Sequence, residues 1–205
     1  MPGRDWACEL ARYNRWQDDK LYTLCEALGD DARREPRAMF FGDIHRTLGH
    51  ILMVDQVLLE FALTRRLPEA FDPRRDPAHS GADAGADAGA HVSADAVADA
   101  IAEADAGEPS DGQHIDDFDA LAAAQRRFDD DLLRRFEGVD DAWFDVAASF
   151  YSEERAADRH MPRWFIFSQL FNHATHHRSQ VTSELHRLGI DYGNTDLPHN
   201  PFTGL

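Results

Sequence analysis

Two histidines stand four residues apart in Phe171-Asn-His173-Ala-Thr-His-His177-Arg-Ser-Gln180. Four residues of α-helix turn about 400°, which places His173 and His177 one turn apart on nearly the same face. At that spacing a single helix can offer two imidazole nitrogens to one metal ion. A third histidine, His50, lies in an apolar row of an earlier segment with Thr47, Val54, Val57 and Phe61. Three neutral imidazoles on one ion leave a coordination position open for water or substrate. With no carboxylate in the set, zinc, nickel or iron suits it better than magnesium or calcium. His-x-x-x-His alone is a weak signal, and a lone core histidine is more often a hydrogen-bonded neutral imidazole. Three together are different, because burying them without an ion leaves several donors and acceptors to satisfy.

Other residues compete for roles at such a site. His176 competes for a place in the set; it lies about 100° around the helix from His177 and faces a helix boundary or supports the ligands from behind. Gln180 and Glu184 continue the His173/His177 face, where Gln180 is placed to hydrogen-bond an imidazole or a bound water. Asp55 and Asn172 are candidates to support the ligands from behind. His45 precedes His50 by five residues and points some 140° away from it. Of the 11 histidines, His79, His91, His114 and His199 read as surface residues.

The elements that must position these residues are helical. Asp5–Leu28 has a helical apolar period and stops at Gly29; Asp43–Arg66 starts at an Asp43 or Gly42 cap and ends before Pro68. Ile115–Glu137 carries Phe118, Leu121 or Ala122, Gln125, Phe128, Leu132 and Phe136 on one stripe and stops at Gly138. Pro162–Leu188 has no internal Gly or Pro; Pro162 suits the first helical position and Gly189 a left-handed stop. Trp6, Tyr13, Trp16 and Tyr22 read as packing residues. Asp30–Met39 reads as a polar connection, Asp140–His160 as a short strand or extended crossover, and Asp191–Leu205 as an irregular surface tail. Four long helices with apolar stripes predict an all-α, up-down four-helix bundle in one domain spanning residues 1–205.

Asp72–Asp111 departs from this pattern. It contains the repeat Gly81-Ala-Asp-Ala-Gly-Ala-Asp-Ala-Gly-Ala90 and almost no large apolar residues. Such a stretch cannot offset its ordering entropy by burial, so it reads as a disordered acidic insertion between the second and third helices. Val92–Ala104 within it is permissive for a weak helix. About half of the net charge of −17 sits here, with nine acidic residues and no Lys or Arg between Asp76 and Asp111. An acidic surface repels phosphate backbones and argues against nucleic-acid binding. Cys8 and Cys25 share one helix at a spacing no disulfide spans, which predicts reduced thiols and a cytoplasmic setting. As a nucleophile pair they lack a neighbouring base. No signal peptide and no run near ~18 apolar residues is apparent, so no membrane role is expected.

Gly42-Asp-Ile-His-Arg-Thr-Leu-Gly-His50-Ile-Leu-Met-Val-Asp55-Gln, followed over a hundred residues later by Leu170-Phe-Asn-His173-Ala-Thr-His-His177-Arg-Ser-Gln180, resembles the DinB family of damage-inducible bacterial proteins. The likeness covers most of the chain outside the insertion. It implies a DinB/YfiT-like bundle, often a homodimer, in which three histidines hold a divalent metal; they map onto His50, His173 and His177. Several such proteins are thiol-dependent transferases or isomerases that use a low-molecular-weight thiol, and many have no established activity. Ser179 stands where the family commonly has Gly, and the acidic insertion is unusual. The expectation is a metal-dependent enzyme, a thiol-dependent transferase or a hydrolase, acting on a small-molecule substrate. The alternative is a non-catalytic stress protein with a structural metal, acting through a dimer surface.

Overall fold

The computed structural model describes residues 2–65, 115–152 and 157–204. The Asp72–Asp111 insertion and the weak helix expected within it lie outside the described residues. The described chain is mostly helical, in the order α1 (Arg4–Leu28), α2 (Asp30–Arg34), α3 (Ile44–Thr64), α4 (Phe118–Glu137), α5 (Asp141–Asp145), β1 (Ala147–Ser152), β2 (Ala157–Pro162) and α6 (Arg163–Arg187).

The helix ends follow local chemistry. The side chains of Asp43, Asp117 and Asp140 cap α3, α4 and α5, accepting from the backbone N–H groups of Arg46, Ala120 and Trp143. Asp117 therefore starts the third long helix at Phe118 rather than Ile115. Pro162 precedes the first turn of α6 as its cap instead of occupying that turn. At the other end of α6, Gly189 has φ of 76°, with Gly189 N–H donating to His186 O and Ile190 N–H to Leu185 O. This is a Schellman closure, and a side chain at Gly189 would strain it. Asp43→Ala is expected to lower stability by about 1 kcal/mol, read from the denaturant midpoint, because it orphans the Arg46 N–H.

Two expected connections are more ordered than the sequence implied. Asp30–Arg34, read as polar linker, forms a helical turn (α2) with Asp30 and Asp31 at its start and Arg33 and Arg34 at its end. Arg33 is buried, its guanidinium 3.9 Å from the Phe118 ring centre, and it donates to Cys25 O. Asp140–His160 holds α5 and most of an antiparallel β1–β2 hairpin, paired from Ala147↔Pro162 to Ser152↔Ala157. The tail beyond α6 lies irregularly along α1, with Tyr13 Oη donating to Thr195 O and Gly204 N–H to Glu9.

Helix α3 packs chiefly on α6, and α1 on α4. Phe136, Phe144, Phe167 and Phe171 build one aromatic cluster, with Phe136 centred 4.8 Å from Phe167. Arg163 fastens the start of α6 to the end of α3 through Ala62 O (2.8 Å). The contacts also fix direction. His45 and Phe118 meet at the starts of α3 and α4, whereas the end of α4 meets the start of α6 at Phe136 and Phe167. Trp6 meets Phe171, and Asn14 and Asp18 meet Arg178, so α1 and α6 run the same way. The long helices thus run up, down, down, up. This corrects the expected up-down alternation: the chain returns to the beginning of α3 before α4 starts. Helix α3 is long and apolar enough to cross a membrane by composition, but most of that stretch is buried by its neighbours, and core packing accounts for it.

Candidate metal centre

Helix α3 supplies His50, and α6 supplies His173 and His177. Their ring centres lie 5.0 Å (His50–His173), 4.7 Å (His50–His177) and 4.4 Å (His173–His177) apart. One ligand nitrogen of each lies within 4.8 Å of the other two, and Nε2 of His50 and Nε2 of His173 are 3.1 Å apart. The three residues are only 6, 5 and 3% exposed. Nitrogens sharing a tetrahedral ion at about 2.0–2.1 Å sit about 3.3 Å from each other, close to the observed gap.

The protonation states suit a ligand set. Burial, reinforced by the neighbouring imidazoles, lowers His50 to about 3 and His173 to about 2. Both are therefore neutral at pH 7. His173 Nδ1 is buried without a hydrogen-bond partner. His177 Nδ1 faces Gln180 Oε1 at 3.1 Å, so that nitrogen carries the proton and Nε2 keeps its lone pair. This is the hydrogen bond the sequence spacing anticipated for Gln180.

These depressed values set a pH dependence. In metal-free protein the unfolded imidazoles take up protons below about 6.5, while the folded ones do not until about 3 or lower. Their contribution is complete above pH 6.5 and falls as pH falls through the window below it. Relative to a His50→Gln, His173→Gln variant, metal-free wild type should lose about 2 kcal/mol between pH 7 and 5.5, measured by urea unfolding at both pH values.

Other candidates fall elsewhere. His176 is exposed, near Gln180 Nε2, and Asn172 is exposed. Glu184 is buried but engaged with Arg187 and, at 3.9 Å, Arg37. His45 is buried with Nε2 2.8 Å from Ile115 O, away from the cluster as its rotation required. Asp55 does not back the ligands. It belongs to a second buried polar group with Asn14, Asp18, Gln125, Asp129 and Arg178. There Arg178 donates to Asn14 and to both Asp18 oxygens (3.2 and 3.3 Å), and Asn14 Nδ2 bridges Asp18 and Asp129 (2.8 and 3.1 Å). Cys8 and Cys25 are free and buried; burial raises the Cys8 thiol and pushes Cys25 up to about 12, which keeps both protonated.

The sequence reading missed Phe41. Its ring stacks on His50 with centres 4.0 Å apart and lies 5.5 Å from His177. The signal was present as two adjacent aromatics directly before Gly42 and the Asp43 cap.

A mostly helical core in which one helix gives two histidines a turn apart, and a second helix gives the third, defines a class of helical proteins with a buried imidazole cluster. The family model described as DinB family matches residues 3–203, and the chain belongs to the DinB family. Searches of curated proteins and of solved structures find no match.

Proposed function

We propose that the chain is a metal-dependent enzyme of the DinB type, a four-helix bundle whose His50, His173 and His177 hold a divalent zinc, nickel or iron ion. The observation that carries this reading is the convergence of three buried imidazoles from two helices. When bound, the ion supplies Lewis acidity toward a coordinated water, thiol or carbonyl. The chain's own part is to hold the nitrogens, fix the His177 proton through Gln180, and keep bulk water from the cluster. The substrate is a small electrophile, attacked by a low-molecular-weight thiol or by water. The reading extends to a homodimer in the cytoplasm, to which the two free, buried cysteines are suited.

The test is metal analysis of untagged protein, followed by ligand binding and turnover of the loaded form. One equivalent of metal, binding of azide, and turnover with a thiol and an electrophile panel support it. A second reading, a structural metal in a non-catalytic protein, is favoured by the near-complete burial of the three rings. Chelation would then collapse thermal stability, while the loaded protein would bind no azide and turn nothing over.

A further inference from the structure

The loop before α3 is built to hold an aromatic wall against the histidine cluster. Phe41 is half-buried, and its ring packs on two of the three imidazoles. Phe40 packs edge-on to it at 5.0 Å and is 62% exposed, so the apolar surface continues outward to solvent. The loop is braced. Arg37 N–H donates to Gly42 O (2.6 Å), and Gly42 N–H donates to Met39 O (3.0 Å). The Arg37 guanidinium reaches Ala32 O (2.9 Å), Glu35 (3.0 Å) and Glu184 (3.9 Å). Gly42, at φ of 82°, makes the turn that lays Phe41 over His50. His177 also meets the polar Gln180 amide, at Nδ1. Beside the imidazoles the loop before α3 thus places an aromatic pair, and α6 places an amide behind His177.

Resting on the metal reading above, we propose that Phe41, extended by Phe40, selects the exogenous ligand. The site takes small donors that carry a flat or apolar group beside the donor atom and lay it on these rings. Stacking of two aromatic groups corresponds to a few-fold to about tenfold in affinity beyond simple burial. A thiol ligand binds by forming a sulfur–metal bond and releasing its proton to the buffer, with no redox change.

Cobalt-loaded full-length protein reports ligand binding directly through its visible and near-ultraviolet absorption. Benzyl mercaptan and 2-mercaptoethanol are thiols of similar acidity that differ in the aromatic flank; azide serves as a donor with no flank. The wild type should prefer benzyl mercaptan by about tenfold. Phe41→Ala and the aliphatic Phe41→Leu should both lose that preference, and azide affinity should change by less than about threefold. Phe41→Tyr should keep the preference, and Phe40→Ala should reduce it partially. Equal affinities for both thiols in wild type, or a preference that survives Phe41→Leu, overturns the assignment while leaving the metal reading standing. Failure to bind cobalt, or to bind azide and both thiols, overturns both.

Discussion

His173→Ala, purified without an affinity tag, is expected to lose stoichiometric metal and all metal-dependent stabilisation. His173 is one corner of a nearly equilateral triangle of rings, 5.0 Å from His50 and 4.4 Å from His177 between centres, in the interior of α6. Removing it leaves two nitrogens, and no carboxylate among the described residues joins the group that holds them. The affinity loss should exceed the ten- to hundredfold typical of deleting a group that merely orients a ligand, which is the loss expected for Gln180→Ala. Metal at a thousandfold over its dissociation constant adds about 4 kcal/mol to the folded state, roughly 10 °C in Tm for a chain of this size. Wild type should show that rise on metal addition, and His173→Ala should show none. A retained equivalent of metal with an unchanged Tm rise in the variant would refute the ligand set.

Arg178→Met should be the most damaging single change away from the histidines. Arg178 is the cation among the buried carboxylates of Asp18, Asp55 and Asp129, held by Asn14 and both Asp18 oxygens. Without it, Asp18 is left buried without its cation, which costs about 3–5 kcal/mol when such a pair is broken from one side. Asp55→Asn should behave oppositely. Both Asp55 oxygens are unpartnered at 0% exposure, and burial, with Asp18 and Asp129 nearby, holds its carboxyl well above the usual range. The folded state therefore favours the protonated acid, and that contribution is lost as pH rises above the ordinary carboxylate value. Replacing Asp55 by the neutral amide should leave stability at pH 4 nearly unchanged and raise it at pH 8. Paired urea unfolding at the two pH values measures this.

Helix existence, stripe membership and the histidine cluster were legible because each depends on local periodicity. Thr47, His50, Val54, Val57 and Phe61 are all buried on α3, as their spacing required. Phe118 to Phe136 behave likewise on α4. Direction was not legible. A short turn would force neighbouring helices antiparallel, but the residues between Arg65 and Ile115 are numerous enough to permit either sense. The aromatic wall escaped notice because Phe41 belongs to no periodic segment; the turn at Gly42 and the clasp of Arg37 aim it. The buried carboxylates escaped because Asn14 and Asp18, or Asp129 beside the stripe residue Gln125, look like a wet helix edge until four helices bring them together.

The return of the chain to His45, where Ile115 O docks, sets a minimum tether between α3 and α4. Helix α3 has 21 residues, so its two ends lie about 30 Å apart. A fully stretched strand advances at most about 3.3–3.6 Å per residue, so at least nine or ten residues must bridge that gap. Trimming residues 66–114 to fewer than that would pull Ile115 off His45 or unwind the last turn of α3. Trimming to some twenty should leave both ends seated.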